Sequence, residues 1–306
     1  MKQKTCIILA GATASGKTDL AITIAQHYKT EIISADSRQC YKELNFGVAK
    51  PSTEQLASVP HHFINSHSII ENISAADFEQ YALSAAEKIF EHKDVAVMCG
   101  GTGLYIKAFC EGLDNIPVAD DEIKQDISEG YKKNGIVWLQ EIIKSEDPLF
   151  WEKGENHNPH RLMRALEVIR NTGNSILAYQ QKIKKERDFN IIKIGLDVPR
   201  EILYDRINKR TDKMRKAGLT EEVRSLMPYK TLNALQTVGY RDLFEYFENK
   251  ISEEKAFELI KQNTRHYAKR QITWFKKDAE IVWVKPEDII LRIGKEIKKN
   301  YIAKRI

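Results

Sequence analysis

The chain has 306 residues, 42% hydrophobic and 30% charged, with eight prolines and 15 glycines. That composition excludes a disordered or collagen-like chain and leaves room for two domains, or one with an insertion. The formal charge of +5 is uneven: residues 1–180 hold 18 basic and 24 acidic side chains, a net of −6, and residues 181–306 hold 30 and 19, a net of +11. Such a basic half points either to a polyanionic partner or to a mosaic surface without one.

Thr5–Ala10 is a short apolar run and reads as a buried parallel strand. It is too short for a signal-peptide core or a membrane span, and no later stretch reaches 18 apolar residues, so a cytoplasmic chain is expected. Cys6, Cys40, Cys99 and Cys110 have no CxxC spacing, which predicts reduced thiols and no zinc ribbon. Lys17–Tyr28 has helical spacing through Leu20, Ala21, Ile24 and Ala25. Glu31–Ser34 is a second short strand. Ser74, with Asp77 three residues on, caps a helix to about His92 whose face carries Phe78, Tyr81, Ala85 and Ile89. Val95–Cys99 is a third strand, and the alternation implies right-handed crossovers in a parallel sheet.

Beyond Gly112 only helices are predicted until a strand at Ile191–Val198. One helix opens at Asn158-Pro159, runs through Leu162, Leu166 and Ile169, and stops at Gly173. More helices and a last strand at Ile281–Val284 follow. The expected fold is α/β: a P-loop NTPase-like parallel-sheet core with C-terminal helices (1–112 and 190–306) and a helical insertion domain (113–189). No apolar heptad or repeat suggests an interface, so a monomer is expected.

Gly11-Ala12-Thr13-Ala14-Ser15-Gly16-Lys17-Thr18 fits G-x-x-x-x-G-K-[ST] between a predicted strand and helix. Glycines let such a loop curl its N–H groups onto phosphate oxygens, and the helix N-terminus adds its dipole. Lys17 offers a point charge to the terminal phosphate, and the Thr18 hydroxyl is a candidate ligand for Mg²⁺. The motif implies a bound diphosphate or triphosphate and leaves the transferred group open. Asp36 follows the second strand, at the sheet edge where ligands bind. It would hold Mg²⁺ through water, act as a general base, or simply cap a helix. Gly100-Gly101-Thr102-Gly103 follows the third strand, where Thr102 either donates to a substrate or caps a turn.

Together these segments resemble one family, the tRNA dimethylallyltransferases, over nearly the whole chain. The matching segments are GATASGKT at 11–18, ADSRQCYK at 35–42 with GVAKPS at 47–52, SAADF at 74–78, GGTGLY at 100–105, HRLMRALEV at 160–168, QTVGYR at 236–241 and AKRQITWFK at 268–276. Departures are small: Ala12, Arg38, Cys40 and His160 stand where the family often has other residues. The zinc-finger extension of eukaryotic relatives is missing from the sequence, so the bacterial type is expected.

The resemblance implies transfer of a dimethylallyl group from dimethylallyl diphosphate to the exocyclic amine of the adenosine 3′ of the anticodon, in tRNAs reading codons that begin with U. Gly11 to Thr18 would cradle the diphosphate. Lys17, Mg²⁺ on Thr18, and Arg210 would stabilise the charge on the leaving oxygen. Asp36 would orient the amine and take its proton, with Thr102 assisting. The adenine would leave its stack, and Ser37, Arg38 and Gln39 would read it or its neighbours.

Further tRNA contacts are implied at His160, Arg161, Leu162, Met163 and Arg164, at Gln236, Thr237, Val238, Gly239, Tyr240 and Arg241, and at Lys269, Arg270, Gln271, Ile272, Thr273, Trp274, Phe275 and Lys276. On a helix, Lys261, Arg265 and Lys269 form a basic stripe, with Tyr267, Arg270 and Trp274 on another face. Trp274 by itself fits core packing better than base stacking. Three other readings stay open. A P-loop kinase accounts for residues 11–18 and Asp36 but not for the basic half. A prenyltransferase of free adenine nucleotides needs no RNA surface. A non-enzymatic RNA-binding regulator would tolerate loss of Asp36.

Overall fold

The computed structural model describes residues 4–181 and 183–303, the side chains of 298–303 excepted. Six strands form one all-parallel sheet in the order β3-β2-β4-β1-β5-β6. They are β1 Thr5–Ala10, β2 Ile32–Ala35, β3 His61–His62, β4 Val95–Gly100, β5 Asn190–Leu196 and β6 Val282–Val284. The helices are α1 Lys17–Tyr28, α2 Thr53–Ser58, α3 Ala75–His92, α4 Gly103–Glu111, α5 Asp121–Glu146, α6 Pro148–Lys153, α7 Pro159–Thr172, α8 Arg200–Ala217, α9 Leu219–Ser225, α10 Tyr240–Phe247, α11 Glu253–Phe275 and α12 Ile289–Ala303. The strands and helices read from the sequence are present to within a residue or two. The short α2 and β3 are additional: α2 buries no residue, so it carries no apolar signal.

Period-two alternation packs β1 into two layers. Ile7 and Leu9 join Ala21, Ile24 and Ile293 on one face of the sheet, while Cys6, Ile8 and Ala10 join Phe78, Phe109, Leu243 and Phe257 on the other. A sheet covered on both faces explains why its strands read as continuous apolar runs. Ser74 and Asp77 form the expected capping box on α3. The register pairs Ala10 with Gly100 and Gly195, and Ala35 with Gly100, so the loops after β1, β2 and β4 open along one sheet edge. Gly100 is required there, since a Cβ would lie 2.1 Å from the Ala35 carbonyl oxygen.

The chain divides into two compact units, residues 1–110 with 186–306, and residues 111–185. The second begins two residues and ends four residues before the bounds read from the sequence. It has its own core, in which Ile127, Leu139, Ile143 and Phe150 meet Leu162 and Leu166. On α7, Asn158 accepts from the His160 and Arg161 N–H groups, Pro159 takes the first turn and Gly173 closes the helix at φ 72°. That packing corrects part of the expected tRNA surface. Leu162 is buried in this core and Met163 packs on it. Arg164 pairs with Glu167 and donates to the Ile116 and Pro117 carbonyls, so only His160 and Arg161 of that segment face outward. Among the described residues the cysteines are free thiols, and no helix is long and apolar enough to cross a membrane.

Candidate active site

The loop after β1 curls because Ala14 (φ 62°) and Gly16 (φ 89°) both take left-handed backbone around Ser15. Ala14 bears a local cost of about 1 kcal/mol for that conformation. Gly16 starts α1 without a side-chain cap, which leaves the first-turn N–H groups for a ligand. Lys17 Nζ donates to the Ala12 carbonyl at 2.7 Å, Arg210 to Thr13 Oγ1 at 2.7 Å and Arg206 to the Ser15 carbonyl at 3.3 Å. Ser15 Oγ is buried with no hydrogen-bond partner, and an arriving phosphate oxygen would satisfy it. Burial holds Lys17 below the usual lysine range and the Arg210 charge adds to this, while Cys99 and Asp36 oppose it. Burial also lowers Arg210, and Asp36 opposes that too. Two desolvated cations beside a backbone cradle suit a polyanion.

This P-loop hollow encloses about 570 Å³, and Thr13 to Asp19, Arg206, Arg210 and Lys213 line it. A second hollow of about 450 Å³ opens beside it. The two share Thr13, Asp36, Val48, Ala49, Arg210 and Tyr267 in their walls. Asp36 therefore sits where they meet. Its Oδ1 accepts from the Arg38 N–H at 2.9 Å and the Gln39 N–H at 3.3 Å, capping a turn and not a helix, with Oδ2 outside that turn. Thr102 Oγ1 accepts from the Ser37 N–H at 3.0 Å, and the Tyr267 phenol lies beside Thr102. Burial and then the Asp36 charge push the Tyr267 phenol up to about 12. Asp36, Thr102 and Lys17 are thus gathered from three separate loops, with Arg210 reaching in from α8.

Ser37, Arg38, Gln236, Thr237, Val238, Arg241 and Arg270 line the second hollow. Others are turned to internal work. Gln39 accepts from Ser34 Oγ and donates to the Ala49 carbonyl at 3.0 Å, so its amide holds a loop while it lines the P-loop hollow. Tyr240 is fully buried with its hydroxyl on Glu222, and Gly239 serves the start of α10 at φ 95°. Buried Gln271 accepts from the Thr13 N–H and donates to the Gly101 carbonyl, both at 2.8 Å. Ile272 packs against Ala12, Leu203 and Ile207, and Phe275 is buried. The buried Tyr240 and Phe275 side chains are not placed to touch RNA. The basic stripe is likewise part of a helix seam: Arg265 donates to Asn208 and Lys261 pairs with Asp212, both on α8.

Trp274 reverses the core-packing expectation. It is 43% exposed, and its indole lies over Gly103, where a Cβ would be 2.1 Å from Nε1. With Lys269, Arg270, Thr273 and Lys277 it lines a groove on the outer side of α11, and Lys276 is exposed nearby. Sequence reading missed Tyr267 as a wall of both hollows, and Arg206 and Lys213 beside Arg210. The i, i+4, i+7 spacing of those three cations on one helix was available as a signal.

A family model described as IPP transferase matches residues 39–278. A tRNA dimethylallyltransferase of Christiangramia forsetii is 49% identical over 90% of this chain and 92% of its own length. One from Cytophaga hutchinsonii is 43% identical over 94% of both. The crystal structure of the full-length tRNA isopentenylpyrophosphate transferase of Bacillus halodurans superposes with a TM-score of 0.73 at 30% identity, covering 99% of this chain and 100% of that one. A eukaryotic dimethylallyltransferase acting on tRNA shares the fold, with a TM-score of 0.75 at 24% identity over 98% of this chain and 80% of that one. The motif-bearing loops, the parallel sheet that gathers them and these likenesses agree: the chain belongs to the IPP transferase family, that of the tRNA dimethylallyltransferases.

Proposed function

We propose that the P-loop hollow binds dimethylallyl diphosphate and that the second hollow receives an adenine extruded from a tRNA anticodon loop. Dimethylallyl transfer to tRNA is the reaction of this chain. The finer reading makes the acceptor the exocyclic amine of the adenosine 3′ of the anticodon, in tRNAs reading codons that begin with U. The products are isopentenyladenosine and diphosphate. One observation carries this reading: a polyanion cradle and a carboxylate-walled hollow meet at Thr13, Asp36, Arg210 and Tyr267.

In the transfer the amine nitrogen forms a bond to the allylic carbon as the carbon–oxygen bond breaks. The electron pair leaves with the diphosphate. Lys17, Arg210 and the loop N–H groups face the charge that develops there. Asp36 orients the amine and accepts its proton, while Thr102, bonded to the Ser37 N–H, helps fix the acceptor edge. Thr18 lines the cradle, and its hydroxyl is the group that would hold Mg²⁺ there. When bound, that ion would neutralise charge on the leaving group. Among the described residues no cluster of three His, Cys, Asp or Glu offers it a separate cage.

Extruding the base costs a few kcal/mol, offset by phosphate contacts along the rim at Arg38, Arg241 and Arg270 and by stacking on Trp274. His160 and Arg161 supply contacts from the insertion. The chain acts as a cytoplasmic monomer. The test supplies an anticodon stem-loop, free AMP, and labelled dimethylallyl diphosphate or labelled ATP. Label passing from the prenyl donor to the stem-loop is expected. Prenylation of AMP alone, or phosphorylation from ATP, overturns the reading.

A further inference from the structure

Glu222 on α9 lies outside both hollows, yet one carboxylate gathers four donors. Its oxygens accept from the backbone N–H groups of Asn45 at 2.8 Å, Phe46 at 3.0 Å and Gly47 at 3.4 Å, and from the Tyr240 hydroxyl at 2.6 Å. Bonds to an ionised acceptor are the strong ones, and three consecutive amides turned onto a carboxylate fix the course of that backbone.

The segment so fixed matters because Gly47, Val48 and Ala49 form one wall of the second hollow. Tyr240 is buried just behind that hollow's lining, between Val238 and Arg241 in the chain. Its ring presses on Gly47 so closely that a Cβ there would be 2.5 Å away, which is why that position has no side chain. Past Gly47 the wall continues through Ala49 at φ 50°, a conformation that persists only when surroundings impose it. Gln39 and Lys50 hold the far end: Gln39 donates to the Ala49 carbonyl, and Lys50 to the Tyr41 carbonyl and to Asn65. Glu222 thus ties the backbone leading into the 47–49 wall to Tyr240, the neighbour of Arg241 in the hollow's lining.

From this geometry we infer that Glu222 is a positioning residue for the acceptor nucleotide: it sets the gap between the 47–49 wall and the 236–241 wall. The inference rests on the reading of that hollow as the adenine site. The P-loop hollow shares Val48 and Ala49 but not Gly47 or the 236–238 segment, so the clamp acts more on the acceptor than on prenyl-diphosphate binding.

Glu222→Gln keeps the side chain's size but replaces one acceptor oxygen with an NH₂ that opposes the amides. The KM for an anticodon stem-loop is expected to rise about tenfold, with kcat and the KM for dimethylallyl diphosphate each within about threefold of wild type. Amide hydrogen exchange at 45–47 is expected to quicken by about tenfold or more. Tyr240→Phe, which removes one donor and keeps the ring, should move the same KM by a smaller factor. It carries the test if Glu222→Gln does not fold. An unchanged stem-loop KM overturns the inference. So does a fall in kcat with both KM values shifting alongside a lowered melting temperature, which would make Glu222 merely structural. Wild-type protein that prenylates no stem-loop would instead fail the underlying reading of the hollow.

Discussion

The two hollows are built in opposite ways. The P-loop hollow owes most of its chemistry to one contiguous motif, Gly11 to Thr18, whose backbone turns and first helical turn make an anion site, with Arg206, Arg210 and Gln271 bonded onto it. The acceptor hollow draws its wall from residues 36–38, 47–49, 236–242 and 263–270, with no two of these groups adjacent in the chain. A contiguous cradle is robust and legible. An assembled one depends on contacts between distant segments, such as Glu222 on the 45–47 backbone. The difference teaches that in this site the reagent common to many enzymes is bound by a local motif, and the specific one by tertiary structure.

Asp36→Asn gives the largest expected effect, because Asp36 stands on the shared wall. The amide keeps an oxygen for the Arg38 and Gln39 N–H groups, so the turn survives while the base is lost. Single-turnover prenylation is expected to slow by about 10²-fold or more, with stem-loop affinity within about threefold. Equal losses in rate and RNA affinity would mean that Asp36 only shapes the hollow.

Lys17 tests the cradle alone through pH. Its pKa is lowered from 10.5 by burial, and a bound diphosphate favours the cation. Affinity for diphosphate should therefore fall as pH rises toward 10.5, at lower pH than an exposed lysine would show. The sign for folding is the reverse. The unfolded chain binds the Lys17 proton more tightly, so ligand-free stability gains from this residue as pH rises through the same window. Calorimetric titration of diphosphate and melting curves for wild type against Lys17→Met would read both slopes. Lys17→Met should lose about 10²-fold in kcat/KM for the prenyl donor and both pH slopes with it.

Gln271→Leu should disturb both hollows, since Gln271 ties the cradle to the loop after β4. Leaving the Thr13 N–H and Gly101 carbonyl unpaired in a buried site is expected to cost about 1–3 kcal/mol of stability, read as a lower melting temperature. A melting temperature equal to wild type would show that Gln271 is dispensable to the cradle. Trp274→Ala is the mildest change. It is expected to weaken the stem-loop about fivefold by loss of stacking, without lowering the melting temperature or the prenyl-donor affinity. A drop in melting temperature without a change in RNA affinity would return Trp274 to the core.

α11 marks the limit of sequence reading. Residues 268–276 carry a recognisable motif, but a motif does not say which side chain points where. Lys269, Arg270 and Trp274 emerge on the outside, while Gln271, Ile272 and Phe275 turn toward the P-loop and the core. The choice is set by what α11 packs against, α8 and the loops after β1 and β4, and those lie far away in sequence. The same holds for Arg164, whose partners are the Ile116 and Pro117 carbonyls.

The sequence by itself determined the order of strands and helices, the phosphate cradle, the helical insertion and the family. Those follow from local spacing, capping and contiguous motifs. The −6 and +11 halves could be counted without a structure, but which of the basic residues are free for RNA could not. Lys261 and Arg265 are engaged on α8 and Arg164 inside the insertion. Only the tertiary structure decided those assignments, and only it joined the two hollows at Asp36. Long-range packing sets burial and orientation, and a short motif carries no record of it.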